Sequence, residues 1–480
     1  MLSLVAGGGA LTLLALTPGC QKVDARPDFQ RAGAIVEATT GHALGYRPED
    51  ERLVADRVDE LLRDGLTPAE AVEVGLLNNP RLQAAFMDVG IARADVVQAG
   101  MLSNPSLGIS ARFPSGGGLA NIEADLAQNV ADLWRIKPRT LAAERNLDAT
   151  VLDLAREAAN LSAEIETAYY EAVGRAQIEA IAQQNLATAR ELLQMATLQR
   201  EHGAATEIDV NLSRSVVFES ELESQSARLA AAEARRTLAE LLGLTTDADE
   251  LVLSAALPEP PTATLSAPDL IAIARESRLD LRAAWQRVDA AEAELVRERG
   301  SLFGDVTVGL SMERGERRSG EPSEHTDLII GPSLEFELPI FDQNQARVAR
   351  ATFTLQRAIK TLEAIERPIV HEIRGAVDRS DTAWRLVRLY REQSLPLAES
   401  NVALSREAYR AGRTSLLGVM EAQRFLLTTR RRYVEAWMGA AETMPALHRA
   451  VARPQATATQ PDATDTTENG GPSAGNEVQP

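Results

Sequence analysis

Cysteine is almost absent from this chain. Cys20 stands alone among 480 residues, so no internal disulfide can form. Aromatic residues make up only 4% of the sequence, while Ala, Leu, Glu and Arg dominate, a composition typical of long helices and coiled coils. Long uncharged apolar runs are missing beyond Met1 to Gln21, which excludes a transmembrane helix in the remainder. Any membrane crossing would therefore use a closed β-barrel. No Lys/Arg-rich block opposes the formal charge of -19, which argues against a nucleic-acid partner. The five histidines (His42, His202, His325, His371 and His448) share no metal-ligand spacing, and the eight methionines are scattered. Gly7 to Gly9 fall in the leader and Gly116 to Gly118 in a turn, so neither forms a phosphate loop. These patterns supply no catalytic site, metal centre or cofactor motif.

Residues 1–20 read as an export signal, with Leu11 to Leu16 as its apolar core and Thr17-Pro18-Gly19-Cys20 at its end. Cys20 occupies the place of the diacylglycerol-modified cysteine of bacterial lipoproteins, so diacylglycerol and palmitoyl attachment is one expectation. An ordinary signal cut nearby, leaving Cys20 incidental, is the other; Pro18 and the absence of Lys or Arg before the apolar core depart from the lipoprotein pattern. Residues 21–64 form a lead-in with helix around Glu49 to Arg63. Residues 454–480, rich in Thr, Ala, Pro, Gly and Asp, read as a disordered tail.

Between these ends the chain repeats itself. Leu66-Thr67-Pro68 opens a helix that ends near Asn78-Asn79-Pro80, and a longer helix follows from Arg81 to about Leu102. The segment from Leu265-Ser266-Ala267-Pro268 has the same layout, and Leu82 to Phe86 aligns with Leu281 to Trp285 at the same offset. That constant shift implies a tandem duplication, with residues 65–255 and 256–453 as its halves.

Each half carries a strand pair, expected near 104–113 and 119–129, then 304–313 and 327–338. Leu107, Ile109, Ala111 and Phe113 alternate with Ser106, Gly108, Ser110 and Arg112; Ala120, Ile122, Ala124 and Leu126 alternate with Asn121, Glu123 and Asp125. Val306, Val308 and Leu310 alternate with Asp305, Thr307 and Gly309, and Leu328, Ile330, Leu334, Phe336 and Leu338 with Ser333, Glu335 and Glu337. Period-two alternation makes one face apolar and the other mostly acidic. After Pro339-Ile340-Phe341 the register turns helical, with Asp342 as the candidate N-cap. Four strands of this length can cross a bilayer but cannot close, because the smallest barrels need about eight. Either several copies pool their strands, or the hairpins pack on helices of a soluble protein.

The helices are long. From Lys137 to about Glu201 the residues Leu147, Val151, Leu154, Ala158, Leu161, Ile165, Ala168 and Ala172 step by fours and threes, a heptad seam. Such a helix would be on the order of 90–100 Å long at ~1.5 Å per residue. A break at His202 to Thr206 returns the chain in a second helix, Glu207 to about Leu242. The second half repeats this hairpin, with Gly412 matching Gly203 and kinks expected at Pro368 and Pro396.

Leu338-Pro339-Ile340-Phe341-Asp342 followed by Gln345 to Ala351, together with Tyr409 to Leu417, Leu77 to Pro80 and the Gly203 to Val210 turn, resembles the TolC-like outer-membrane efflux factors across roughly residues 66–450. The resemblance implies a mainly α fold with a small β part: long antiparallel coiled-coil hairpins forming a third of a trimeric α-barrel, and four strands contributing to a 12-stranded transmembrane β-barrel. It implies a homotrimer in the Gram-negative outer membrane, with its helical tunnel in the periplasm. There it would conduct substrate passively from a periplasmic adaptor and an inner-membrane pump. The lipoprotein-like start resembles the metal-efflux and multidrug branches.

By the same resemblance, Asp209, Tyr409, Gly412, Arg413 and Glu421 lie at the hairpin tips that narrow the tunnel and meet the adaptor, while Gly418 stands where the family has an acidic residue. The charges among these tip residues could equally be solvated helix ends. Glu123, Asp125, Asp305, Glu335 and Glu337 would line the barrel lumen and favour cations. Trp134 and Phe341, at strand-to-helix junctions, are candidates for an aromatic girdle or for core positions. The alternative reading is a periplasmic coiled-coil scaffold or adaptor without a channel.

Overall fold

The computed structural model describes residues 22–42, 51–113, 115, 120–245, 251–254, 266–301, 304–314 and 328–452. Residues 1–21, where an export signal ending at Cys20 is expected, most of the two hairpin loops and the 454–480 segment expected to be a tail lie outside them.

The N-terminal half runs α1 (Arg26–Thr40), α2 (Glu51–Leu61), α3 (Pro68–Asn78), α4 (Pro80–Ala99), β1 (Ser106–Arg112), β2 (Asn121–Asn129), α5 (Asp132–Glu201) and α6 (Glu207–Leu241). The second half repeats the order from α3 onward: α7 (Ala267–Ser277), α8 (Leu279–Arg299), β3 (Val306–Arg314) and β4 (Leu328–Phe336). Then follow α9 (Gln345–Glu366), α10 (Ile369–Leu389), α11 (Leu395–Arg410), α12 (Leu416–Ala441) and α13 (Thr443–Val451).

Local chemistry sets these boundaries. Thr67 and Glu70 close a reciprocal capping box at the start of α3. Asn79 accepts from the Arg81 N–H at 2.9 Å to start α4, and its amide donates to the Leu241 carbonyl at 2.8 Å, tying this turn to the end of α6. The 70-residue α5 spans about 105 Å. It begins a turn earlier than its sequence suggests, because Asp132 accepts the Ser103 N–H at 2.8 Å and fixes the entry of the helix. Pro138 is thereby held inside the helix. In the second half the equivalent rod is divided. It breaks at Arg367 and Pro368, and a π-turn over Tyr390–Ser394 precedes Pro396, whose missing N–H cannot continue the α ladder. The N-cap of α9 is Asn344, not Asp342. Asn344 adopts φ 64°, with its N–H donated to Asp342 at 2.8 Å and its amide bonded to Glu298 at the end of α8.

All eight seam residues of α5 from Leu147 to Ala172 are buried. They belong to a core built with α1, α3, α4 and α8; smaller clusters follow along the rods, the last at the hairpin tips. The four strands form one antiparallel sheet in the order β1-β2-β3-β4. Among the described residues no helix is long and apolar enough to cross a membrane.

Candidate functional site

The register of the sheet assembles its two faces. Leu107 sits opposite Leu126, which sits opposite Leu310, which sits opposite Pro332; Ile109, Ala124, Met312 and Ile330 form the next row. One apolar surface therefore runs across all four strands. It is uncovered in the chain: Leu107 is 68% exposed, Ile109 72% and Leu334 64%. Among the described residues no helix buries this face, so the strands lie outside the helical core.

The other face brings the carboxylates together. Glu123 lies opposite Glu313, and Thr307 opposite Glu335. Asp125 has Gly108 and Ser311 as its cross-strand neighbours. Asp305 and Glu337 fall just outside the strands, at the helix end of the same face. The charge is partly compensated. Arg112 donates to Glu123 at 2.6 Å, and Arg135 of α5 reaches Asp305 at 3.2 Å. Six carboxylates thus share the face with two guanidinium groups. Sequence alternation did not assign Glu313 to the acidic face; β3 extends through Arg314, and Asn121 donates to Glu313 at 2.8 Å.

Trp134 lies within the first turn of α5 and Phe341 in the segment before α9. Neither is core: Trp134 is 46% exposed and Phe341 92%. Leu133, Leu338 and Ile340 are exposed beside them in sequence, so the apolar surface continues past the strands on the helix side.

At the far end, the two helix hairpins close with the same geometry. Gly203 (φ 74°) and Gly412 (φ 67°) take the left-handed conformation that a side chain would strain. The N–H groups that follow bond back five residues, Ala204 to Gln199 and Arg413 to Ala408, each at 2.8 Å. This is the Schellman closure. Beyond it the two tips differ. Thr206 and Asp209 form a capping box at the start of α6, and Thr206 hydrogen bonds, chiefly from its side chain, hold the Asp209 carboxyl below its usual range. Ser415 and Gly418 occupy the same positions on α12, where Ser415 makes no side-chain cap. Asp209 is therefore engaged at its own helix end. The Thr-x-x-Asp spacing is the sequence signal for that role.

Tyr409 links the hairpins. Its hydroxyl donates to the Gln199 side-chain oxygen on α5, and its ring packs beside Leu192, Ala196, Val210 and Leu416. Arg413 and Glu421 are exposed. Glu421 lines a groove of about 420 Å³ between α5, α6 and α12, with Leu192, Leu212, Glu219, Leu417 and Arg424. Among the described residues no cluster of His, Cys, Asp and Glu is arranged to hold a metal.

A family model described as outer membrane efflux protein matches residues 72–244 and 270–453. The pyoverdine export outer membrane protein OpmQ of Pseudomonas aeruginosa is 25% identical over 317 residues, covering 65% of this chain and 65% of that protein. The cobalt-zinc-cadmium resistance protein CzcC of Cupriavidus metallidurans is 26% identical over 234 residues, covering 48% and 53%. The aligned region thus spans about half to two thirds of these relatives. Among solved structures, the outer-membrane channel OprN superposes with a TM-score of 0.65 at 21% identity, covering 87% of this chain and 95% of that one. The outer membrane protein VceC of Vibrio cholerae gives 0.64 at 20%, covering 80% and 96%. At these identities the structures share the fold.

Proposed function

Because this chain belongs to the outer membrane efflux protein family, we propose that three copies build a passive outer-membrane exit duct. Their twelve strands close one barrel, and their helices continue it as a periplasmic tunnel. The observation that carries this reading is the open sheet. β1 and β4 are its edges, with unpaired backbone groups, and one side of it is a bare apolar surface. In lipid each unpaired backbone group costs several kcal/mol, so the sheet must close. Along the order β1-β2-β3-β4 the strands alternate in direction. β4 of one copy therefore meets β1 of the next antiparallel, and twelve strands close without a break.

Unlike edges give a head-to-tail contact, which forms a ring. The helices agree. α6 packs on α5 and α11 on α12, leaving Phe218, Leu222 and Leu229 on the first and Leu397 and Leu404 on the second exposed for a neighbouring copy. In the closed barrel the acidic face lines the lumen, and Glu123, Asp125, Asp305, Glu335 and Glu337, with Glu313, favour cations. Trp134 and Phe341 sit at the inner leaflet boundary. The tips at Asp209, Tyr409, Gly412, Arg413 and Glu421 narrow the tunnel and receive a periplasmic adaptor, which connects it to an inner-membrane pump. OpmQ and CzcC are named for chemically unlike cargoes, as suits a duct that leaves selection to the pump.

Reconstitution tests the reading. Purified protein should run as a trimer and pass a cation-preferring current in planar bilayers. A soluble monomer that never conducts would overturn it and leave a periplasmic scaffold.

A further inference from the structure

The apolar sheet face has one charge among the described residues. Arg314, at the loop end of β3, sits opposite Ile122 and Leu328, and Ile122 sits opposite Ala111. Every other residue of that row is apolar, and Phe113 just past β1 is 80% exposed. Arg314 is exposed and forms no ion pair with a described residue. By contrast, Arg112, on the polar face, is spent on Glu123 at 2.6 Å.

The position of this charge along the strand is informative. From Val306 to Arg314, β3 rises about 26 Å, or about 20 Å along the barrel axis at a tilt of ~40°. The exposed Leu338, Ile340 and Phe341 extend the apolar surface at the opposite end. Together these approach the ~25 Å height of a barrel's lipid-facing band. A guanidinium at mid-height would be costly, but at the outer rim it meets the layer of headgroup phosphates.

We infer that Arg314 binds the phosphate of an outer-leaflet lipid, three times around the trimer, and so sets the depth of the barrel in the membrane. A fork of N–H donors suits phosphate oxygens, and the apolar row beneath it suits acyl chains. This inference rests on the lipid-facing assignment of the face in the duct reading.

The test uses the full-length trimer in phosphatidylcholine vesicles doped with bisphosphorylated lipid A or with its dephosphorylated form. Native mass spectrometry counts the lipid retained by wild type, Arg314→Gln and Arg314→Lys. Arg314→Gln should retain about fivefold less bisphosphorylated lipid per site, with Arg314→Lys between it and wild type. The dephosphorylated lipid should be retained equally by all three, and inorganic phosphate should not displace the bound lipid. Equal retention of the phosphorylated lipid would overturn the inference, as would an arginine committed to the loop it borders. Displacement by inorganic phosphate would overturn the lipid assignment in favour of a free anion. Conductance of the same vesicles separates the two readings: a conducting trimer with equal retention sinks only the lipid contact. Protein that neither inserts nor conducts sinks the duct and this inference with it.

Discussion

The hydroxyl of Tyr409 on α11 is bonded to the side-chain oxygen of Gln199 on α5, joining the tip of one helix hairpin to the other. Gln199 also accepts, through its backbone carbonyl, the N–H that closes the first hairpin turn. One residue thus holds both the turn of its own hairpin and the neighbouring one.

If that bond restrains the narrow end of the tunnel, Tyr409→Phe should raise single-channel conductance with little change in trimer stability, since one such bond contributes about 1 kcal/mol. Gln199→Ala should act in the same direction. The double variant should open the pore no further than the larger single effect, measured as conductance in planar bilayers. Full additivity would mean that the two side chains act separately.

The lumen carboxylates should differ in their weight on selectivity. Glu123 is neutralised by Arg112 at 2.6 Å, whereas Asp125 faces Gly108 and Ser311. Asp125→Asn should therefore reduce cation preference more than Glu123→Gln does. Reversal potentials across a salt gradient measure the difference; equal shifts would show that only the summed charge matters.

Packing at mid-rod leaves no room at Gly174. A Cβ there would lie 2.2 Å from the Met438 sulfur, where α5 meets α12. Gly174→Ala should cost about 1–3 kcal/mol by overpacking. The flexible methionine can yield, so adding Met438→Ala should recover part of the loss. Thermal unfolding of the two single variants and the pair provides the check.

Stability should also depend on pH through a small cavity between α1, α5 and α13, lined by Thr39, Thr40, Ser162, Glu166, His448 and Arg449. Burial pushes the Glu166 carboxyl from its ordinary 4.5 up to about 7. The folded chain then holds a proton that the unfolded chain has released, so stability falls as pH rises from 4.5 through 7. The full effect of that shift is about 3 kcal/mol. Glu166→Gln should flatten this slope in denaturant titrations at several pH values. Burial lowers the His448 pKa, so its contribution has the opposite sign and is lost as pH falls below 6.5.

Much of this architecture is legible in the sequence because it is periodic. Alternation at Leu107 to Phe113 and Leu328 to Phe336 assigns each residue to a face without knowledge of its neighbours, and the α5 seam follows from its fours and threes. What alternation cannot supply is pairing. That Arg112 reaches Glu123, or that β3 continues to place Glu313 beside it, depends on strand register, which a single strand does not encode. The start of α9 departs from the local pattern for a related reason. Asp342 is a good cap by residue type, but Asn344 wins because its amide also reaches Glu298, 46 positions away. At the tip, Thr206 and Asp209 carry a capping pattern that is readable from their spacing alone.

The edges of each sheet belong to different strands, and this has a consequence for biogenesis. Two subunits joined β4 to β1 still leave one free edge of each kind, as unsatisfied as those of a lone subunit. In the proposed duct no halfway species is self-contained, so assembly would run to the third copy or fall back. A carrier in the periplasm would have to shield every unfinished intermediate from aggregation until the ring closes.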